Sequence, residues 1–447
     1  MTNPKSDIKI LSVKYAYTDE KFRVPLKFGV GYLTNVPSST VIIEAINGTG
    51  KKAKGIGNIL LSDLWAFPGS EITHDEKINA FKEITKRFAQ FLQNSGTFGH
   101  PIDLYLDSKH ELLKIASSVE KEMKFNIHIP VLASLMVGSP FDAALHDAFG
   151  RINGICSYDG YGKEFISKDL SNYLGPKFKG KYISDYLNKE YKPSLPIFHL
   201  VGGLDKLYTN EIEDSDPKDG LPVSLEQWIE KDGIFCFKIK LTGKDIKWDV
   251  DRTVNITDLI ASGGLKEFYL TCDSNEQSPD PEAVIEYLLK VKERSELAFE
   301  KLLYYEQPTE RDIEVHKYDM HAVSKIKPVL VDEGITSLEK VDLAHELGWT
   351  GLALKTCKGH SSALLSFIKA SELKMPCSVQ DLTNPGVSFI HSAGFAARID
   401  TIMGVEYNAR QYIPSAQKDI QEKHKSLFEV VKGKVSTVTV GNTGLGY

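Results

Sequence analysis

Apolar and polar positions along this chain change rhythm near residue 195. Before that point the pattern is mixed. "KILSVKYAY" and "STVIIEAI" read as strands, whereas "KINAFKEITKRFAQFLQNSG" has helical apolar spacing and a glycine stop. "SPFDAALHDAFGRING" predicts another helix, with Ser139 as N-cap and Pro140 at its first position. Residues 158–193, rich in Lys, Gly and Tyr, read as a connector.

After residue 195, short apolar runs alternate with helical segments. The runs are "LPIFHLV" (195–201), "GIFCFKIK" (233–240), "KEFYLTCD" (266–273), "KLLYYEQ" (301–307), "KPVLVDE" (327–333), "GLALKT" (351–356), "MPCSVQD" (375–381) and "TIMGVEY" (401–407). "SLEQWIEKDG", "PEAVIEYLLKVKERSELAFEKL", "LEKVDLAHELGW" and "SALLSFIKASEL" predict helices between them. Strands that alternate with single helices imply a parallel sheet, and eight units over about 215 residues suit a (β/α)8 barrel. No GxGxxG opens a helix after a strand, which argues against a dinucleotide fold. The closing "GKVSTVTVGNTGLGY" is β-like and falls too late for the barrel, so it is expected to return to the N-terminal unit. The predicted fold class is therefore α/β, a (β/α)8-type (TIM-like) barrel with an N-terminal α+β capping domain. The expected division is cap 1–150, connector 151–194, barrel 195–412 and returning segment 413–447.

Composition narrows the function. Hydrophobic content of 42% and charged content of 26% are ordinary for a soluble globular chain. A net charge of −6 argues against a nucleic-acid partner. No apolar run is long enough to cross a membrane, and the N-terminus has no apolar signal-peptide core. The five cysteines form no CxxC pair, so they read as small buried residues in a reducing cytoplasm.

The chemistry gathers at strand ends. In "CFKIKLTG", Lys238 and Lys240 lie two residues apart and so share one face of their strand. The third strand ends at Asp273, with Asn275 beyond it, and the fourth at Glu306 and Gln307. The fifth ends at Asp332 and Glu333, the sixth at Lys355, the seventh at Asp381 and the eighth at Glu406. A KxK pair alone is usually a solvated face, and a lone strand-end acid is more often a loop cap than a ligand. Order gives the pattern its weight: three successive strands end in carboxylates, and lysine-bearing strands flank them. Such acids repel one another unless neutralised, and hard oxygen ligands without Cys or His suit Mg2+ or Mn2+ rather than zinc. A lysine beside a divalent cation and another ammonium is pushed toward its neutral, basic form. The site reads as one that removes a proton next to a carboxylate.

These motifs resemble the enolase superfamily, and within it the muconate-lactonizing-enzyme subgroup. The resemblance rests on "SPFDAALHDAFGR", "FKIKLTG", "CDSN", "YYEQP", "LVDEG", "LALKTCKGH" and the tail "GNTGLGY", in that order. It implies Asp273, Glu306 and Asp332 as metal ligands, Lys240 as the base on one face and Lys355 as its counterpart. It sets Lys238 behind Lys240, and Asn275 and Gln307 as partners of the ligands. Glu333, whose side chain would point the other way from Asp332 on the strand, is not expected as a primary ligand; with Asp381 and Glu406 it is expected around the ligands or against the substrate. Substrate choice would come from two cap loops, near residues 17–29 and 57–69, the second carrying Trp65 and Phe67.

Two departures matter. The seventh strand ends in Asp381 and not the His of the mandelate-racemase subgroup, and the eighth lacks the Asp-x-Asp that grips an amino group, leaving Glu406 as a substitute. The resemblance implies a Mg2+-dependent racemase or epimerase acting on a small-molecule carboxylate, an N-acyl amino acid or dipeptide. Its alternatives are a cycloisomerase or acid dehydratase, and a catalytically silent carboxylate binder. A homo-oligomer is expected from the resemblance alone.

Overall fold

The structure, a computed structural model, describes residues 5–28 and 31–447. Met1–Pro4 and Gly29, the last residue of the first predicted cap loop, lie outside the described residues. The chain opens with a long antiparallel hairpin, β1 (Ile8–Phe28) and β2 (Gly31–Asn47), to which β3 (Lys52–Leu60) adds. Pairing of β3 with β2 reaches only Ser38↔Leu60, so the far end of the hairpin extends beyond it as a two-stranded arm. The segment predicted as a first cap loop is that arm, a strand rather than a loop.

Three long helices back this sheet: α1 (His74–Gln93), α2 (Pro101–Glu122) and α3 (Val131–Asn153). Thr73 starts α1 with a reciprocal capping box to Glu76. The start predicted for α3 is wrong by two turns, since Ser139 and Pro140 lie inside the helix and not at its beginning. Pro140 has no N–H to donate to the carbonyl of Met136, and the Ser139 hydroxyl donates to that carbonyl instead, at 2.8 Å. The same side chain that signals an N-cap in sequence here repairs a proline defect.

The barrel strands follow as predicted in number and order. They are β4 (Ser194–Val201), β5 (Cys236–Lys240), β6 (Tyr269–Asp273), β7 (Leu302–Glu306), β8 (Val329–Val331), β9 (Gly351–Leu354), β10 (Cys377–Val379) and β11 (Val405–Glu406). All pair in parallel, and β11 closes the ring against β4 through Val405↔Ile197. On β5, Phe237 and Ile239 face the helices, while Cys236 joins Phe198, Tyr304 and Leu330 in a separate core inside the ring. That alternation turns Lys238 and Lys240 inward as well.

The C-terminal segment divides its attachments. Its strand β12 (Lys434–Ser436) pairs antiparallel with barrel strand β4, not with the cap sheet as expected. Its last residues hydrogen-bond to the cap: Leu445 N–H donates to Asp147 of α3, and the Tyr447 hydroxyl donates to the Ile56 carbonyl of β3. Residues 155–193 form short turns that bury Tyr158, Tyr161, Phe178 and Ile183 against the barrel helices α4 (His360–Glu372) and α5 (Gly386–Arg398).

Candidate active site

Strand register sets the site. Lys240 is level with Asp273, and Asp273 with Glu306, so the three form one row across β5, β6 and β7. Asp332 follows two residues after Leu330, the partner of Glu306, one step nearer the C-terminal mouth. Lys355 follows β9 directly. In an eight-stranded ring β5 and β9 are four strands apart, so Lys240 and Lys355 stand on opposite walls with the three acids between.

Every one of these groups is buried, and lysines hold the acids. Lys238 Nζ lies 2.8 Å from Glu306 Oε1, 3.0 Å from Asp273 Oδ2 and 3.5 Å from Glu406 Oε2, and it donates to Gln380 Oε1 at 3.0 Å. Lys240 donates to Asp273 Oδ2 at 2.5 Å and to Asn275 Oδ1 at 2.8 Å. Lys355 Nζ lies 2.7 Å from Asp332 Oδ2, and Lys358 Nζ 3.0 Å from Asp332 Oδ1; both are close ion pairs without hydrogen-bond alignment.

Burial and charge pull the acids in different directions. Burial opposes ionisation of Asp273, but Lys240 and Lys238 outweigh it and hold the carboxyl down at about 2. Asp332 is likewise held below the usual carboxylate range by Lys355 and Lys358, against its burial. At Glu306 burial wins over Lys238, and the carboxyl is pushed up to about 8. Burial resists the charge on Lys355, yet Asp332 keeps its ammonium above the ordinary lysine range.

Around this row lies a set of positioning contacts. Asn275 and Gln307 both adopt left-handed backbone, φ +43° and +31°, which turns the chain sharply after each acid. Gln307 Oε1 accepts from the N–H groups of Asp332 (2.8 Å) and Gly334 (3.1 Å), so it fixes the backbone that presents Asp332. Glu333 is buried, and Oε1 accepts from Trp65 Nε1 (2.9 Å) and Asn275 Nδ2 (3.2 Å). Burial, with Asp332 adjacent, pushes its carboxyl up to about 7. The Trp65 ring also faces Lys355 Nζ at 4.8 Å. Trp65 is thus both core and wall, whereas Phe67 is cap core against Phe125.

Asp381 is a loop cap. Oδ1 accepts from the N–H groups of Leu382 and Asn384, and Oδ2 from that of Asn408. Glu406 accepts from the Asp381 N–H and from Asn408 Nδ2, beside Lys238. Sequence reasoning missed Lys358, although its spacing from Lys355 is the signal: "KTCK" spans one 3₁₀ turn, which brings both lysines to Asp332. It also missed the polar layer below the mouth, where Gln380 Nε2 and Tyr304 OH both reach Ser378.

The arm of β1 and β2 covers the mouth. A small cavity lies between Phe22, Leu26, Leu33, Val36 and Leu60 of the sheet and Lys238, Lys240 and Lys355 of the barrel. Arg23 pins the arm to the barrel through Asp219 and the carbonyls of Leu221 and Pro222.

The donor chemistry fits a hard divalent cation. Asp273, Glu306 and Asp332 supply oxygen acceptors from adjacent strands, and Glu306 Oε2 is buried without a partner. As the side chains lie, no three His, Cys, Asp or Glu among the described residues converge on one ion position. Lys238 stands between Asp273 and Glu306 and supplies the neutralising charge. A cation between them requires that ammonium to give way.

No protein-family model matches the sequence, and no curated protein matches it. Solved structures do match in fold. A muconate lactonizing enzyme from Mucobacterium Smegmatis, complexed with muconolactone, aligns at TM-score 0.63 and 15% identity over 98% of this chain and 96% of that one. A dipeptide epimerase from Enterococcus faecalis V583, complexed with Mg and L-Leu-L-Tyr, aligns at TM-score 0.63 and 16% identity over 98% and 99%. An N-succinyl Arg/Lys racemase from Bacillus cereus ATCC 14579 aligns at TM-score 0.60 and 18% identity over 89% and 87%. The chain has their fold, a closed eight-stranded barrel with an antiparallel capping sheet.

Proposed function

We propose that this chain is an enzyme of the enolase superfamily, a Mg2+-dependent racemase or epimerase that moves the proton α to a carboxylate. The observation that carries this reading is the opposition of Lys240 and Lys355 across a row of three buried acids. A carbon bound between two amines can lose its proton to one face and regain it from the other, which inverts it. The same pair of lysines also suits a cycloisomerase or dehydratase, in which one lysine alone moves a proton, and that is the alternative reading.

In this reading Asp273, Glu306 and Asp332 hold the Mg2+, which supplies positive charge against the negative charge that develops on the substrate carboxylate. Lys238 balances Glu306 and Glu406 beneath the row. Gln307 holds the Asp332 backbone, and Lys358 holds its side chain. The apolar arm excludes water from the mouth and presents apolar side chains toward a bound substrate. Asp381 and Glu406 are both committed to partners inside the protein, so no strand-end acid is set aside for a substrate ammonium. That favours N-acylated amino acids over dipeptides with a free amino group.

The test is α-proton exchange. With Mg2+ in D2O, the protein is expected to wash deuterium into the α position of at least one N-acyl amino acid, with inversion. Exchange without inversion, or loss of water, would move the reading to a lyase. Mg2+ binding without exchange of any acid would leave a silent binder.

A further inference from the structure

The seam between cap and barrel buries a chain of six polar side chains. Asp142 and His146 come from α3, Tyr161 from the connector, His360 and Ser361 from α4, and His391 from α5. From the acid outward the links are Ser361 Oγ to Asp142 Oδ1 (2.8 Å), His146 Nε2 to Ser361 Oγ (3.0 Å), Tyr161 OH to His146 Nδ1 (2.7 Å), His360 Nε2 to Tyr161 OH (2.8 Å) and His391 Nε2 to His360 Nδ1 (2.8 Å). Five members are fully buried, and His391, at the end, is 4% exposed.

Counting protons fixes the direction of every link. An ionised Asp142 only accepts, so Ser361 donates to it. Ser361 Oγ then accepts from His146 Nε2, which leaves His146 Nδ1 to accept from Tyr161. Burial holds the Tyr161 phenol well above its ordinary value, so it remains a hydroxyl. Tyr161 accepts in turn from His360 Nε2, and His360 Nδ1 accepts from His391 Nε2. All three rings are neutral, with the proton on Nε2.

A second arrangement satisfies the same six groups. A proton bound at His391 Nδ1 releases the Nε2 proton to His360 Nδ1. His360 passes its Nε2 proton to Tyr161, Tyr161 to His146 Nδ1, His146 to Ser361, and Ser361 to Asp142 Oδ1. One proton is gained, the carboxylate becomes a carboxylic acid, every hydrogen bond reverses and no imidazolium remains. His100 stands against His146, Tyr158 against His360, and Tyr105 and Lys109 in the field of Asp142, and none of them is a member of the chain.

We infer that this chain is a two-state proton relay, which carries the protonation state of His391 to the first turn of α4. Asp142 Oδ2 accepts the Ser361 N–H there at 2.8 Å, and α4 follows directly on the turn that brings Lys355 and Lys358 to Asp332. A negative charge at a helix N-terminus stabilises it, so a proton delivered to Asp142 loosens the start of α4 behind the site. The relay stands apart from the catalytic reading and does not depend on it.

Two-bond proton–nitrogen NMR correlations on the full chain, labelled with 15N-histidine at pH 7.5, read each tautomer. His146, His360 and His391 are all expected to carry the proton on Nε2. Asp142→Asn is expected to reverse all three to Nδ1, because its amide N–H donates to Ser361 Oγ while its oxygen still accepts from the Ser361 N–H. In Tyr161→Phe, which cuts the chain, His146 keeps its tautomer and the His360 nitrogens depart from the parental pattern. Mixed tautomers in the parent, unchanged His360 and His391 in Asp142→Asn, or a parental His360 in Tyr161→Phe overturns the relay.

Discussion

Trp65 and Glu333 are separated by 268 residues, yet the indole N–H ends on the glutamate at 2.9 Å beside Lys355. No periodicity reports such a pair. Sequence sets Trp65 in a candidate substrate loop and Glu333 beside a ligand, but nothing in it pairs the two. The lysines differ: period 2 alone turns Lys238 and Lys240 to one face, and strand order sets Lys355 opposite. Trp65→Phe keeps the buried ring and removes the donor, leaving a buried carboxylate oxygen with one partner fewer. The expected loss is about 1–3 kcal/mol in denaturant unfolding, with slower α-proton exchange. An unchanged unfolding midpoint would show the bond to be immaterial.

Among elements, β3 is one that the pattern did not reveal, and its glycines explain why. A Cβ on Gly57 would stand 2.0 Å from the Pro140 carbonyl oxygen, and one on Gly55 2.0 Å from that of Ala144. Strand β3 lies so close on α3 that only glycine fits, and glycine weakens a strand signature. The same helix carries another contact that sequence spacing cannot reveal. His391 Nε2 meets His360 Nδ1 at 2.8 Å, His360 Nε2 meets the Tyr161 hydroxyl at 2.8 Å, and that hydroxyl meets His146 Nδ1 at 2.7 Å. Asp142 of α3 and Tyr158 of the connector flank this chain, which ties cap to barrel. Burial, then His146, hold His391 down at about 3, and His360 is also well below its usual value. These histidines are neutral when folded and gain protons more readily when unfolded. Their contribution is therefore complete above the unfolded histidine value of about 6.5 and declines as pH falls below it. The Tm advantage of the parent over His391→Gln is expected to shrink from pH 7.5 to pH 5, and carboxylate titrations common to both proteins cancel in that difference. A constant advantage would contradict the linkage.

Over the whole molecule, barrel closure is what turns scattered strand ends into one site. Eight alternating strands were legible because each is a short apolar run between helices, and their order alone puts β5 and β9 on opposite walls. Less legible was how the rest of the chain encloses that mouth. The arm of β1 and β2 is held by Arg23 to a loop some two hundred residues away, and the tail strand pairs with β4 rather than with the cap. Those contacts depend on tertiary fit, not on local pattern. The central claim is that two lysines serve two faces of one carbon. It is tested by following deuterium uptake into each enantiomer of the best N-acyl amino acid, in D2O with Mg2+, for the parent, Lys240→Ala and Lys355→Ala. The parent should exchange both enantiomers, and each variant should exchange one only, a different one in each case. Exchange of both enantiomers at parental rates in either variant, or loss of the same enantiomer in both, would contradict it.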